Sequence, residues 1–226
     1  SQSPPTSTLV SLAELVLTKN NFDFNGRHYT QISGTAMGTK MAPNYAILYM
    51  DRFEQELLSK AELKPLCWFR YIDDIFFVWP HGSDSLETFK DLANSLCPNI
   101  WLTFESNSSS VPFLDVLVSV RDDGSLATDL YRKPTDSRLY LHFNSCHHES
   151  HKLPIVHSQA LRIRRICSDD DTAWQRCREL KFDLVKRGYP RKAVASKIQK
   201  VLQMNRADLL AYKPRTNDTI PIAWVG

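Results

Sequence analysis

Apolar residues recur along this chain in two rhythms, and each change of rhythm marks an element. Leu9 to Leu17 reads as the tail of a helix. Alternating aromatics then flank Asn25-Gly26, the strongest short hairpin signal a sequence offers. Past a loop with glycines at 34 and 38, the residues Ala46, Ile47, Met50, Phe53 and Leu57 return every three or four positions. They predict a long helix that Pro43 opens. CWFRYIDDIFFVW is apolar on both sides of an Asp pair, which predicts two strands with Asp73-Asp74 as the turn. Leu86, Phe89, Leu92, Ala93 and Leu96 trace a helix from Ser83 to Cys97, opened by Asp84 with Glu87 three residues on. Three strands are expected next: IWLTFES, VPFLDVLVSV and LATDLYRK, the last two joined by RDDGS. Residues 147–168 read as a His- and Arg-rich connection. A helix at about 172–187 carries Trp174, Cys177, Leu180 and Leu184, Gly188 breaks it, and a second helix enters at Pro190 with Val194, Ile198, Val201 and Leu202 on one face. Strands and helices are not regularly interleaved, so the pattern predicts an α+β fold rather than a doubly wound α/β one.

Composition narrows this picture. With 226 residues, 42% of them apolar and 11% aromatic, the chain can build one large or two small cores, which excludes a wholly disordered protein. No run of about 18 uncharged apolar residues occurs, so no membrane-spanning helix is expected. The first residues, SQSPPTSTLV, carry no basic segment ahead of an apolar one and no initiator Met, which reads as a fragment without a secretory signal. Five cysteines, scattered and odd in number, point to reduced thiols and an intracellular place of work.

The net charge of +3 conceals a division. Residues 1–130 hold nine Lys and Arg against sixteen Asp and Glu, a balance of −7, whereas residues 131–226 hold nineteen against nine, a balance of +10. Such a chain joins metal or catalytic carboxylates to a polyanion-binding surface, or carries two solvated surfaces of opposite sign that face each other.

Asp73-Asp74 is the sharpest candidate. Two adjacent carboxylates are costly to bury, and a hairpin tip instead presents both where Mg²⁺ can meet them together with water and substrate phosphates. In two-metal phosphoryl transfer, one ion activates the attacking hydroxyl and the other steadies the leaving oxygen. An ordinary polar turn would use the same dipeptide.

The surroundings of the pair carry more information. YIDD between FR and IFFVW, the upstream SGTAMGTKMAPNYAILYMDRFE and the downstream PFLDVLVSV and LYRKPTDSRLYLHFNSCHHESHK together resemble reverse transcriptases of the Penelope-like retroelement branch, whose relatives include telomerase. The resemblance covers roughly residues 9–225. It implies a partial polymerase palm, an antiparallel sheet with helices, over 1–133, a basic helical thumb over 134–210, and a linker over 211–226 to a domain beyond this sequence. It further implies RNA-templated DNA synthesis by two-metal nucleotidyl transfer in the full-length ancestor, with Mg²⁺, an RNA template, a DNA primer and dNTPs. Asp73 would be a direct Mg²⁺ ligand and Asp74 its peripheral companion. Tyr71 would sit under the primer end or incoming nucleotide. Gly34 and Gly38 would let backbone approach the template. The strands from Phe113 to Lys133 would grip the primer, with Arg132 and Lys133 on its phosphates. Taken alone, the glycines also fit a plain turn and the Arg-Lys pair a solvated strand end.

One departure bears on activity. Palm polymerases need a further catalytic Asp on an earlier strand, and upstream of Gly34 only Glu14, in a helical stretch, and Asp23, in the hairpin, are at hand. The fingers strands are missing too, so this chain is expected not to polymerise. The cluster Cys146, His147, His148 and His151 has no standard zinc spacing and reads as a polar, partly basic connection that touches nucleic acid. Arg162, Arg164 and Arg165 with the paired helices resemble a helix-turn-helix, and Arg191, Lys192 and Lys197 cluster on its second helix. A thumb gripping duplex phosphates, a DNA-reading module and core helices with a solvated basic face all fit that pattern. The two functional expectations are therefore a reverse transcriptase fragment working in the nucleus and a non-catalytic nucleic-acid-binding protein that uses the basic C-terminal helices.

Overall fold

The computed structural model describes residues 4–211, and the chain divides into two units between Phe104 and Glu105. It is mixed α and β with small antiparallel sheets, consistent with an α+β class.

In the first unit, helix α1 (Thr6–Thr18) precedes a hairpin of β1 (Asn21–Phe24) and β2 (Arg27–Thr30). Asn25 and Gly26 both adopt positive φ, 52° and 72°, as a two-residue turn matched to strand twist requires. α1 buries none of its residues, and both strands are exposed along their length. The core lies further on. Helix α2 (Ala42–Lys60) contributes Phe53 and Leu57, helix α3 (Ser83–Ser95) contributes Phe89 and Ala93, and the hairpin of β3 (Cys67–Tyr71) and β4 (Asp74–Val78) covers them with Trp68 and Phe77. The rings of Trp68, Phe77, Trp79 and Phe89 meet stacked, tilted or edge-on at 4.8–6.4 Å between centroids. IWLTFES forms no strand. Its alternation is real, since Ile100, Leu102 and Phe104 pack on this core while Trp101 is exposed. The partner that a strand would supply is replaced by Asn94 of α3. Its side-chain amide accepts from the Leu102 N–H at 2.8 Å and donates to the Leu102 carbonyl at 3.1 Å.

The second unit opens with a three-stranded antiparallel sheet of β5 (Ser110–Phe113), β6 (Val116–Val120) and β7 (Leu126–Leu130). VPFLDVLVSV is thus two strands rather than one, because Leu114-Asp115 is a two-residue turn between Phe113 and Val116. Four helices follow: α4 (Glu149–Ile166), α5 (Asp170–Lys186), α6 (Arg191–Leu202) and the short α7 (Arg206–Leu210). α4 corrects the expected irregular connection over 147–168. Its buried Val156, Ala160 and Ile163 have helical spacing, masked in the sequence by polar neighbours and by Pro154 inside the helix. Buried Leu180 and Leu184 of α5 and Val194 and Val201 of α6 complete one core with them.

β7 is tied into this unit, which places the division of the chain ahead of β5 rather than at 133. The Thr128 hydroxyl donates to the Ile166 carbonyl at 2.5 Å, and the Ser168 N–H donates to the Thr128 carbonyl at 2.9 Å. Asp129 accepts two bonds from the Arg176 guanidinium, at 3.0 and 2.5 Å. Most of the expected linker, residues 212–226, lies outside the described residues. No helix among the described residues is long and apolar enough to cross a membrane.

Candidate nucleic-acid interface

The Asp pair lies at the β3–β4 hairpin, but one residue off the expected turn, because Asp74 already belongs to β4. The register pairs Tyr71 with Asp74, so Ile72 and Asp73 form the loop. Ile72 has φ 57°, a left-handed conformation that costs a β-branched residue about 1–3 kcal/mol and needs outside support. Arg70 provides it. Its Nη1 donates to the Ile72 carbonyl at 3.2 Å while its Nε donates to Glu54 Oε1 of α2 at 2.8 Å. The same Glu54 oxygen accepts from Trp68 Nε1 at 2.8 Å, and the Arg70 and Glu54 side chains are each 12% exposed. Nothing in the periodicity marked this brace. An Arg three residues ahead of the Asp pair and a Glu on the helix before it were the only signals.

Tyr71, Asp73 and Asp74 are exposed, and neither carboxylate has a hydrogen-bond or ion-pair partner among the described residues. Two such carboxylates fit half of a Mg²⁺ site, since that ion takes one or two carboxylates and completes its shell with water and phosphate. No group of three His, Cys, Asp or Glu able to hold a metal assembles among the described residues. Asp23 is occupied locally, accepting from the Gly26 N–H at 3.2 Å and facing His28 at 3.5 Å, and Glu14 lies on α1. Gly34 and Gly38 have φ 73° and 94°, and a side chain at Gly38 would meet open space. That glycine serves the sign of its backbone angle rather than a crowded approach within the protein.

In the second unit, α5 ends in a Schellman turn. The Tyr189 N–H donates to the Leu184 carbonyl at 3.1 Å and the Gly188 N–H to the Val185 carbonyl at 3.0 Å, with Gly188 at φ 88°. Tyr189 is buried against Phe143 at 5.1 Å, and Pro190 then launches α6. The segment before α4 braces this turn. The Phe143 N–H donates to the Arg187 carbonyl at 2.9 Å, and Arg187 Nε donates to the Tyr140 carbonyl at 2.8 Å. Residues 139–199 match the animal helix-turn-helix domain. The match begins within this bracing segment and runs through α4 and α5 into α6. No curated protein and no solved structure matches the chain.

The second unit sorts the expected phosphate contacts. Arg191 and Lys192 are exposed and Lys197 is half-buried, and α6 carries a fourth cation, Lys200, and no acid. Ser196 and Gln199 share its exposed side. Arg165 is exposed at the end of α4. Arg164 is a correction. It is 8% exposed, donates to the Met204 carbonyl at 3.2 Å and pairs with Asp170, so it ties helices together and does not face a ligand. Arg162 donates to Asp115 at 2.6 Å. Arg132 is turned inward, 3.6 Å from Asp183 and 15% exposed, whereas Lys133 reaches solvent. Arg132, Lys133 and Arg162 share the lining of a cleft of about 330 Å³ with Asp115 and Asp136, so its cations are largely compensated.

Cys146 and His151 are exposed, while His148 caps α4 by accepting from the Ser150 N–H at 3.2 Å. Burial pushes the Cys167 thiol up to about 12 and Cys177 to about 11, which makes both inert core residues. Burial also raises Asp129, but the bonds and charge of Arg176 and the Leu130 N–H outweigh it and hold the carboxyl below its ordinary value.

Proposed function

We propose that this chain is the nucleic-acid-binding part of a Penelope-like reverse transcriptase, and that its helix-turn-helix unit grips duplex through the phosphates. The observation that carries the reading is α6, a helix with four cations and no acid, the last of the three helices reached by a segment that matches a helix-turn-helix domain. Lys and Arg on phosphate position a duplex without reading its sequence, as a polymerase thumb must. In the first unit, Asp73 and Asp74 hold Mg²⁺ once a third carboxylate from elsewhere in the palm joins them. Held there, Mg²⁺ would supply charge stabilisation for a transferring phosphoryl group and activation of an attacking hydroxyl. Arg70 and Glu54 keep the hairpin tip in the shape that presents both acids. The chain by itself does not incorporate dNTPs, and its partners are RNA–DNA hybrid or DNA duplex in the nucleus.

The test is a salt titration of random-duplex binding. Each phosphate that a Lys or Arg no longer neutralises reduces the slope of log K against log salt by about 0.9. Replacing Arg191, Lys192 and Lys197 together with Gln is expected to weaken every duplex alike and to flatten the slope by about two to three units. Unchanged affinity and slope overturn the reading. A second reading, a sequence-specific DNA reader, draws on Ser196 and Gln199, whose side chains can hydrogen-bond base edges in the major groove. It requires that one site be preferred over random DNA by about 4 kcal/mol or more.

A further inference from the structure

α5 has two faces, and only one of them is used by the fold. Ala173, Cys177, Leu180 and Leu184 pack inward at helical spacing. On the far side Trp174 is 54% exposed and Phe182 70% exposed, two turns apart, and Val185 joins them. The guanidinium of Arg178 lies between the rings in sequence and 4.8 Å over the Trp174 ring. Four-residue spacing places Trp174, Arg178 and Phe182 in one line, about 6 Å apart along the axis.

From Trp174 onward the charges along this line have one sign, with the exposed Asp171 one turn ahead at its N-terminal end. From Trp174 to Lys186 the only acids are Glu179 and Asp183, and both turn away, toward Arg138, Arg176 and Arg132. Arg178, Lys181 and Lys186 remain beside the rings. The occupant must therefore bring negative charge together with flat apolar surfaces. Duplex supplies the charge but keeps its base faces inside the stack. Single strands supply both, and rings beside cations are the platform on which unpaired bases stack.

We propose that the outer face of α5, with Trp174 and Phe182 as stacking platforms and Arg178, Lys181 and Lys186 as phosphate contacts, binds single-stranded nucleic acid. This site is separate from the duplex grip of α6 and lets the same unit hold a strand where it leaves a duplex.

The experiment uses residues 1–226 and a labelled oligothymidylate of about 12 nucleotides, titrated by fluorescence anisotropy at roughly 0.3 M salt, where binding through phosphates alone has fallen steeply. Each of Trp174→Ala and Phe182→Ala is expected to weaken the oligothymidylate about tenfold, and Trp174→Phe to retain most of the affinity. Random duplex titrated at low salt is expected to bind all three variants as it binds the original chain, whereas the α6 triple Gln variant loses duplex first. Both sites are solvent-exposed, so the melting temperature should hold, which excludes lost folding as the cause. Oligothymidylate binding that survives both alanine changes overturns the proposal. So does a loss that falls equally on duplex. A dimer in sedimentation that the alanine changes dissociate also overturns it, by making the face a contact between copies of this chain.

Discussion

Two hairpins of this protein turn on the same kind of dipeptide and use it in opposite ways. Ile72-Asp73 joins β3 to β4, and Leu114-Asp115 joins β5 to β6. In each, the aliphatic residue takes a positive φ, 57° and 55°, where such turns ordinarily place glycine. At the second turn the carboxylate is engaged, because Arg162 of α4 donates to Asp115 at 2.6 Å. At the first turn the arginine goes to the backbone instead, with Arg70 on the Ile72 carbonyl, and the acids are left to solvent. An aliphatic-Asp turn thus ties its acid to the fold or leaves it to solvent according to where the neighbouring guanidinium points. Bracing the backbone while sparing the side chains leaves both carboxylates available, as the proposed Mg²⁺ site would need.

Removing the two arginines should separate the turns most. Arg70→Ala leaves Glu54 at 12% exposure without its cation, and breaking so buried a pair costs about 3 kcal/mol. Arg162→Ala breaks a pair whose members are 45% and 39% exposed, and it is expected to cost less than about 1 kcal/mol. Urea unfolding followed by tryptophan fluorescence reads both. Equal losses would erase the distinction between brace and anchor.

Replacing the strained residues should bring the turns back together. Ile72→Gly and Leu114→Gly each relieve a left-handed side chain but free the unfolded backbone. A net gain of up to about 1 kcal/mol is expected at either turn. A loss at Ile72 alone would mean that its side chain does packing work which its 45% exposure argues against.

The contrast between the turns also marks what was legible in the sequence. The YIDD tip, the Asn25-Gly26 hairpin, α2, α3, α5 and α6 were all readable, since each pairs a clear period with a local stop signal. The Leu114-Asp115 turn was not, because an aliphatic residue at positive φ gives no turn signature, so β5 and β6 read as one strand. α4 was hidden by Pro154 and by its polar content, and IWLTFES lost its ladder to the side chain of Asn94. Among candidate site residues the acids and the α6 cations lie exposed as expected, save Lys197, which is half-buried. Arg164 and Arg132 do not, because neither an arginine run on a helix nor an Arg-Lys pair after a strand says which members the next layer will claim. That layer came from α5, through Asp170 and Asp183, and from the Met204 carbonyl after α6, whose placement only the structure reveals.

The smallest stability effect carries the sharpest functional test. Asp73→Asn removes a charge that touches nothing among the described residues, so unfolding free energy should move by less than about 0.5 kcal/mol. Its effect on metal should be large by comparison. A carboxylate is a hard, charged oxygen donor, and an amide oxygen in its place carries no charge to hold a divalent ion. Millimolar Mn²⁺, a paramagnetic stand-in for Mg²⁺, should therefore broaden the resonances of Tyr71 to Ile75 in the original chain. It should leave them sharp in Asp73→Asn, while those of Leu114 to Val116 stay sharp in both because Arg162 already occupies Asp115. Equal broadening at the two turns would show that an aliphatic-Asp turn attracts the ion wherever it occurs. Equal broadening of Tyr71 to Ile75 with and without Asp73 would take the metal away from that tip.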